Sequence, residues 1–130
     1  MNFDEFRNID TWIFDLDNTL YPPEVRLFDQ IEQKMRYFVA NFLDISLADA
    51  DVMRAQYWRS HGTTLAGMME NHAMPPHEFL RNVHEIDFSV LPSSQNLAQL
   101  ISALPGRKIV YTNGTEPYAR SVLTARGLEQ

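Results

Sequence analysis

Two short strand-like runs, set far apart in the chain, constrain its fold more than any other feature. Thr11 to Phe14 reads "TWIF" and Lys108 to Tyr111 reads "KIVY". Both are β-branched or aromatic without polar alternation, the pattern of parallel strands covered on both faces. The sequence between them reads as helix, so they cannot form a hairpin and must pair in parallel through a helical crossover. Each run surfaces in a polar turn. Asp15, Leu16, Asp17, Asn18 and Thr19 follow the first, and Thr112, Asn113, Gly114 and Thr115 follow the second. Open parallel sheets carry their sites at the carboxyl ends of strands.

The intervening sequence predicts four helices. Pro22 and Pro23 end the strand and suit a helix start. From Glu24 to Phe42 the apolar positions are Val25, Leu27, Phe28, Ile31, Met35, Phe38, Val39 and Phe42, and steps of three and four dominate, the spacing of an amphipathic helix. Ser46 with Asp49 resembles a capping box for a helix from Leu47 to about His61, with Gly62 as its stop. Thr63 or Thr64 caps a short helix over Leu65 to Asn71, and Pro76 opens one through about Glu85. Tyr57 and Trp58 are expected in the core of this bundle. Further on, Leu97, Leu100, Ile101 and Leu104 line a helix ending at Pro105-Gly106, and a last helix runs from about Pro117 to Arg126 before Gly127. The expectation is an α/β core of residues 1–21 and 87–130, with an inserted helical block of residues 22–86. Two strands cannot close a core on both faces, so a further strand is expected beyond residue 130; a small complete fold with unrecognised strands is the alternative.

Composition narrows the partners. The chain has 130 residues, with eleven Lys and Arg against seventeen Asp and Glu, a net charge of −6. That balance argues against a nucleic acid polymer or an anionic membrane, though not against a small anion whose charge a metal ion offsets. Cysteine is absent, which excludes disulfide and thiolate chemistry and suits a reducing cytoplasm. The opening "MNFDEFRNID" lacks the pattern of a signal peptide.

Asp15 and Asp17 stand at i and i+2 of an extended segment, which puts their side chains on one side about 6–7 Å apart. Such a pair is tolerated when a cation lies near or when one member holds a proton. Asp15 is placed to attack phosphorus, and Asp17 to protonate a leaving oxygen and then deprotonate water. A magnesium ion would neutralise carboxylate and phosphate together. Thr112 offers a hydroxyl, Asn113 and Gly114 offer backbone N–H groups, and the following helix offers its dipole to a phosphate. Alone, the first turn reads equally as an acidic turn or cap, and the second as an ordinary turn. Their place after two buried-type strands gives them weight. The four histidines, His61, His72, His77 and His84, lack the spacing of a shared metal site.

"FDLDNTLY" resembles the D-x-D-x-T signature of the haloacid dehalogenase (HAD) superfamily, and "IVYTNGT" resembles its second motif. The all-helical insertion resembles the superfamily's C1-type cap, and "FDLDNTLYPP" with "HGTTLAGM" resembles the pyrimidine 5′-nucleotidase branch. The resemblance implies a Rossmann-like core, Mg2+ and an aspartyl-phosphate intermediate. By position, Asp15 would be nucleophile and magnesium ligand. Asp17 would be general acid/base and bind magnesium through its carbonyl, Thr19 would shape the turn, and Thr112 would hold the phosphoryl group. An acidic residue at 17 favours phosphatases over dehalogenases. Thr63, Thr64 and Leu65 would meet a substrate base or sugar, and Tyr21 would contact substrate or hinge the cap. A Lys and an acidic pair are expected beyond residue 130, since Lys108 precedes the second motif and does not substitute for the Lys. Little or no activity is therefore expected from this segment alone. The expected substrate is a small phosphorylated metabolite, first a nucleoside monophosphate. A sugar phosphate or phosphoglycolate is the alternative within the enzymes, and a non-catalytic helical module the alternative outside them.

Overall fold

In the computed structural model, which describes residues 3 to 129, the chain is mixed α/β. Among the described residues it has six α-helices and one two-stranded parallel sheet. Two units separate: the chain up to Leu27 with the chain from Phe88 onward, and Phe28–Asp87. No helix among the described residues is long and apolar enough to cross a membrane.

The first unit carries the sheet, β1 (Thr11–Phe14) beside β2 (Arg107–Val110), with Thr11 opposite Arg107 and Phe14 opposite Val110. Its register is set at the start of β2. The Arg107 N–H donates to the Asp10 carbonyl at 2.8 Å, and the Trp12 indole N–H donates to the Pro105 carbonyl at 2.9 Å. Gly106 sits between them at φ +89°, where an added Cβ would lie 2.0 Å from the Asp10 oxygen. Only glycine tolerates both that backbone and that approach. At the other end the Tyr111 N–H donates to the Phe14 carbonyl at 2.8 Å, so both strands leave the sheet side by side.

Helices α5 (Gln95–Ala103) and α6 (Glu116–Arg126) complete this unit. Ser94 and Thr115 cap them through their hydroxyls, and Gly127 ends α6 at φ +73°. The strands are not covered on both faces as expected. Phe14 and Val110 face Ala98 and Ile101 of α5 and Leu123 of α6 across a groove of about 360 Å3. The opposite face is open, with Ile13 69% and Tyr111 77% exposed. Side chains alternate along a strand, and α5 and α6 line one face of this sheet. The buried set lies instead at the strand mouths: Leu16, Leu20, Tyr21, Leu27, Leu91, Tyr118 and Val122. At about 1.5–3 kcal/mol for each large apolar side chain, this cluster, more than the sheet, stabilises the two turns.

The second unit is helical. In the last residues of the first unit, just before it, the expected helix start at Glu24 is corrected: Pro23–Val25 is a 3-10 turn closed by the Arg26 N–H on the Pro23 carbonyl at 2.9 Å. Arg26 is left-handed at φ 56°, which interrupts the helical run, and α1 spans Leu27–Leu43. Helices α2 (Leu47–His61), α3 (Thr64–His72) and α4 (Pro76–Val83) follow. Ser46 caps α2 by accepting from the Asp49 N–H, and Thr63 caps α3 by accepting from the Ala66 N–H, both at 3.1 Å. Tyr57 of α2 packs on Gly67 of α3, where a Cβ would meet its ring at 2.2 Å. Trp58, expected in the core beside Tyr57, is 68% exposed. A helix turns about 100° per residue; Tyr57 faces Gly67 of α3, and Trp58, one step round the helix, faces outward. Phe38 meets Phe79 edge-on at 5.4 Å. The Gln30 side chain closes the unit by bonding both backbone groups of Asp87, at 2.8 and 3.0 Å.

Candidate active site

The turn after β1 is a tight coil on one carbonyl. The N–H groups of Thr19 and Leu20 both donate to the Leu16 oxygen, at 3.2 and 3.0 Å. Asn18 takes the left-handed position at φ 55°, one that Asn tolerates better than most residues. Leu16 and Leu20 point into the core, and Asp15 and Thr19 are left outside. The Asp15 carboxylate accepts from the Leu16 N–H at 2.8 Å through Oδ1 and from the Thr19 hydroxyl at a long 3.5 Å through Oδ2. Asp15 is therefore exposed, oriented by local donors and open to a ligand.

Asp17 differs. It is half-buried, and its Oδ1 accepts two phenol hydroxyls, Tyr21 at 2.9 Å and Tyr118 at 2.5 Å. Both phenols are buried, 1% and 2% exposed. Burial first, and then the adjacent Asp17 carboxylate, push each far above the usual tyrosine range. Both therefore stay protonated and remain donors. Tyr21, expected at the substrate or at a hinge, spends its hydroxyl on Asp17. Tyr118 was not marked by any motif.

The turn after β2 organises itself. The Thr112 hydroxyl accepts from the Gly114 N–H at 3.1 Å, and the Thr115 hydroxyl accepts from the Tyr118 N–H at 3.4 Å. Gly114 lies against the Tyr118 ring, where a Cβ would come within 2.7 Å. Of the expected phosphate donors, Asn113 is exposed, while the Gly114 N–H is engaged within its own loop. Register and the Tyr111–Phe14 bond bring the Thr112 loop and the Asp15 turn to the same end of the sheet.

Arg126 braces this end from below. Its side chain is 7% exposed; Nε donates to the Leu20 carbonyl at 3.0 Å and Nη1 donates to the Pro92 carbonyl. Thr63, Thr64 and Leu65 belong to the helical unit. Thr63 caps α3, and Thr64 is buried and donates to the Arg54 carbonyl at 3.4 Å. Leu65, in the first turn of α3, is half-buried.

Among the described residues, no group of three or more His, Asp or Glu side chains is gathered to hold a metal ion. The donors at the β1 mouth are all oxygen, and the exposed Asp15 carboxylate suits magnesium, which takes one or two carboxylates and fills its remaining positions with water. No known protein-family model matches the chain.

Proposed function

We propose that this chain carries the nucleophile of a magnesium-dependent phosphomonoester hydrolase. In this reading the sheet-bearing unit is a Rossmann-like HAD core and Phe28–Asp87 is its cap. The substrate is a nucleoside 5′-monophosphate, by resemblance a pyrimidine one, met in the cytoplasm. The observation that carries the reading is the unequal treatment of two carboxylates on one turn at the mouth of a parallel strand. Asp15 is exposed with only local donors, while Asp17 is half-buried and held by two phenols. A nucleophile and a proton carrier need such different surroundings.

In the first step an Asp15 oxygen bonds to phosphorus, the ester P–O bond breaks, and Asp17 protonates the leaving oxygen. In the second, Asp17 removes a proton from water as the water oxygen bonds to phosphorus; inorganic phosphate leaves and the Asp15 carboxylate is restored. Thr112 offers its hydroxyl to the phosphoryl oxygens. The Asp15 carboxylate and the Asp17 backbone carbonyl would hold magnesium, which supplies charge neutralisation to a phosphoryl transfer that depends mainly on positioning and electrostatics.

Phosphate release by the intact protein from UMP, CMP and phosphoglycolate, with and without Mg2+, tests the reading. Asp15→Asn is expected to lower turnover at least about a thousandfold, because it removes the attacking group. Undiminished turnover in that variant would sink the mechanism. A preference for phosphoglycolate in kcat/KM would move the substrate class to short phosphorylated acids.

A further inference from the structure

The carboxylate assigned to proton transfer is held by a residue 101 positions away. Tyr118 occupies the first turn of α6, with its N–H on the Thr115 cap. Its ring is fixed between Gly114 and Phe88, the latter with ring centroids 6.0 Å apart. From there the hydroxyl reaches across to Asp17 Oδ1, the oxygen that already accepts Tyr21. A carboxylate offers about four acceptor sites over its two oxygens. Two phenol donors therefore use what Oδ1 has, and leave Oδ2 as the oxygen through which Asp17 exchanges a proton.

We infer that Tyr118, with Tyr21 as the second donor, is a positioning residue for Asp17: it fixes the carboxylate by binding Oδ1 and so assigns proton transfer to Oδ2. This rests on the phosphatase reading above. Three features support it. The two donors converge on one oxygen instead of bridging both. Tyr118 is locked by packing on both sides, so its hydroxyl has a fixed place. The same residue also touches Gly114 of the Thr112 loop, so the loop proposed to hold the phosphoryl group and the turn that carries Asp17 are built against one ring. In the first chemical step the Oδ2–H bond breaks as the leaving oxygen gains the proton, while the Asp15–phosphorus bond forms and the ester bond breaks. A misplaced Asp17 slows this step most when the leaving oxygen is basic.

That dependence supplies the test. Single-turnover release of the alcohol would be followed with the intact protein and its Tyr118→Phe variant on two probes. From UMP, uridine leaves through a basic 5′ alkoxide oxygen that needs a proton; from p-nitrophenyl phosphate, p-nitrophenol leaves as a stable phenolate that needs little help. The expected result is a loss on UMP that exceeds the loss on p-nitrophenyl phosphate by about tenfold or more, a fraction of the roughly 10²–10⁴ that general acid catalysis contributes. Tyr21→Phe, which removes the other donor to the same oxygen, is expected to bias the losses in the same direction. It serves as the second variant if Tyr118→Phe does not fold. Equal losses on the two probes, or none on either, would overturn the positioning role while leaving the phosphatase intact. A full-length wild-type protein that releases neither alcohol would overturn the phosphatase reading, and the positioning role with it.

Discussion

The two turns at the sheet's carboxyl end are built on opposite principles. The turn after β2 is stabilised from within: Thr112 accepts from Gly114 two residues on, and Thr115 accepts from Tyr118 three residues on. The turn after β1 has a local coil around the Leu16 carbonyl and local donors to Asp15, but its Asp17 carboxylate and Leu20 carbonyl are held from afar as well. Tyr118 reaches Asp17, and Arg126 reaches the Leu20 carbonyl across 106 positions of sequence. A self-contained turn forms wherever its residues occur. A turn held by distant groups forms only when the rest of the unit is folded, so its geometry reports on the whole unit. In this chain the more exacting proposed chemistry, two carboxylates with different roles, stands on the dependent turn.

Removing the most distant support should break that contrast most sharply. Arg126→Met keeps much of the side chain's length and apolar stem but leaves the buried Leu20 carbonyl without its charged donor. Hydrogen bonds from charged groups contribute about 1.5–3 kcal/mol each, and an orphaned buried acceptor adds its own desolvation cost. With two carbonyls released, a loss of about 3 kcal/mol or more is expected in urea unfolding, at an unchanged denaturant slope. Hydrogen exchange should speed up first at the Thr19 and Leu20 amides and least at Gly114. Equal acceleration in both turns would mean that the turn after β2 is not self-contained.

Alkaline pH offers a second probe. Tyr21 and Tyr118 are both raised above the usual phenol value near 10 by burial and by Asp17. Between pH 10 and the higher folded values, the unfolded chain has released protons that the folded chain retains. Stability is therefore fully present below about pH 10 and falls as pH rises, by up to about 1.4 kcal/mol per phenol per pH unit. Thermal melts from pH 8 to 11 should show that fall. Tyr118→Phe should flatten it, since phenylalanine has no proton to lose in either state. An unflattened slope in the variant would place the alkaline sensitivity elsewhere.

The same contrast explains what could be read from the sequence. Local signals were legible. Thr11–Phe14 is a strand as its residues require, and β2 lies one residue earlier than "KIVY" because the Arg107 amide opens the ladder on Asp10. Ser46 and Thr63 cap helices, and Gly62 and Gly127 follow helix ends. Thr63 rather than Thr64 is the cap because the Thr64 side chain turns inward to Arg54. Positions fixed by tertiary packing were not legible. Nothing in the residue type of Arg26 announces a left-handed break, and a tyrosine and an arginine on α6 look like ordinary helix residues until Asp17 and Leu20 are brought beside them. Asp15, Asp17 and Thr112 were marked by their place after strands, and their local partners Thr19, Tyr21 and Gly114 by the same motifs; Tyr118 was not, because no local pattern encodes a contact across a hundred residues.

The smallest expected effect sharpens the comparison from the other side. Thr115 accepts from the Tyr118 N–H and so anchors the first turn of α6. Thr115→Ala removes a cap worth about 1 kcal/mol. Its loss is local in energy but not in place, because the residue whose N–H it binds also holds Asp17. If the turn after β1 depends on Tyr118, the variant should raise hydrogen exchange at the amides of residues 16–20 as well as at the start of α6, while Arg126 keeps the fold intact. The converse change, Thr19→Ala, touches only the long 3.5 Å bond to Asp15. It should leave the turn after β2 unchanged, because no bond of that turn runs through Thr19. Coupling in one direction and not the other would mark the turn that carries Asp17 as the dependent partner. Coupling in both directions would instead make the two turns one cooperative unit.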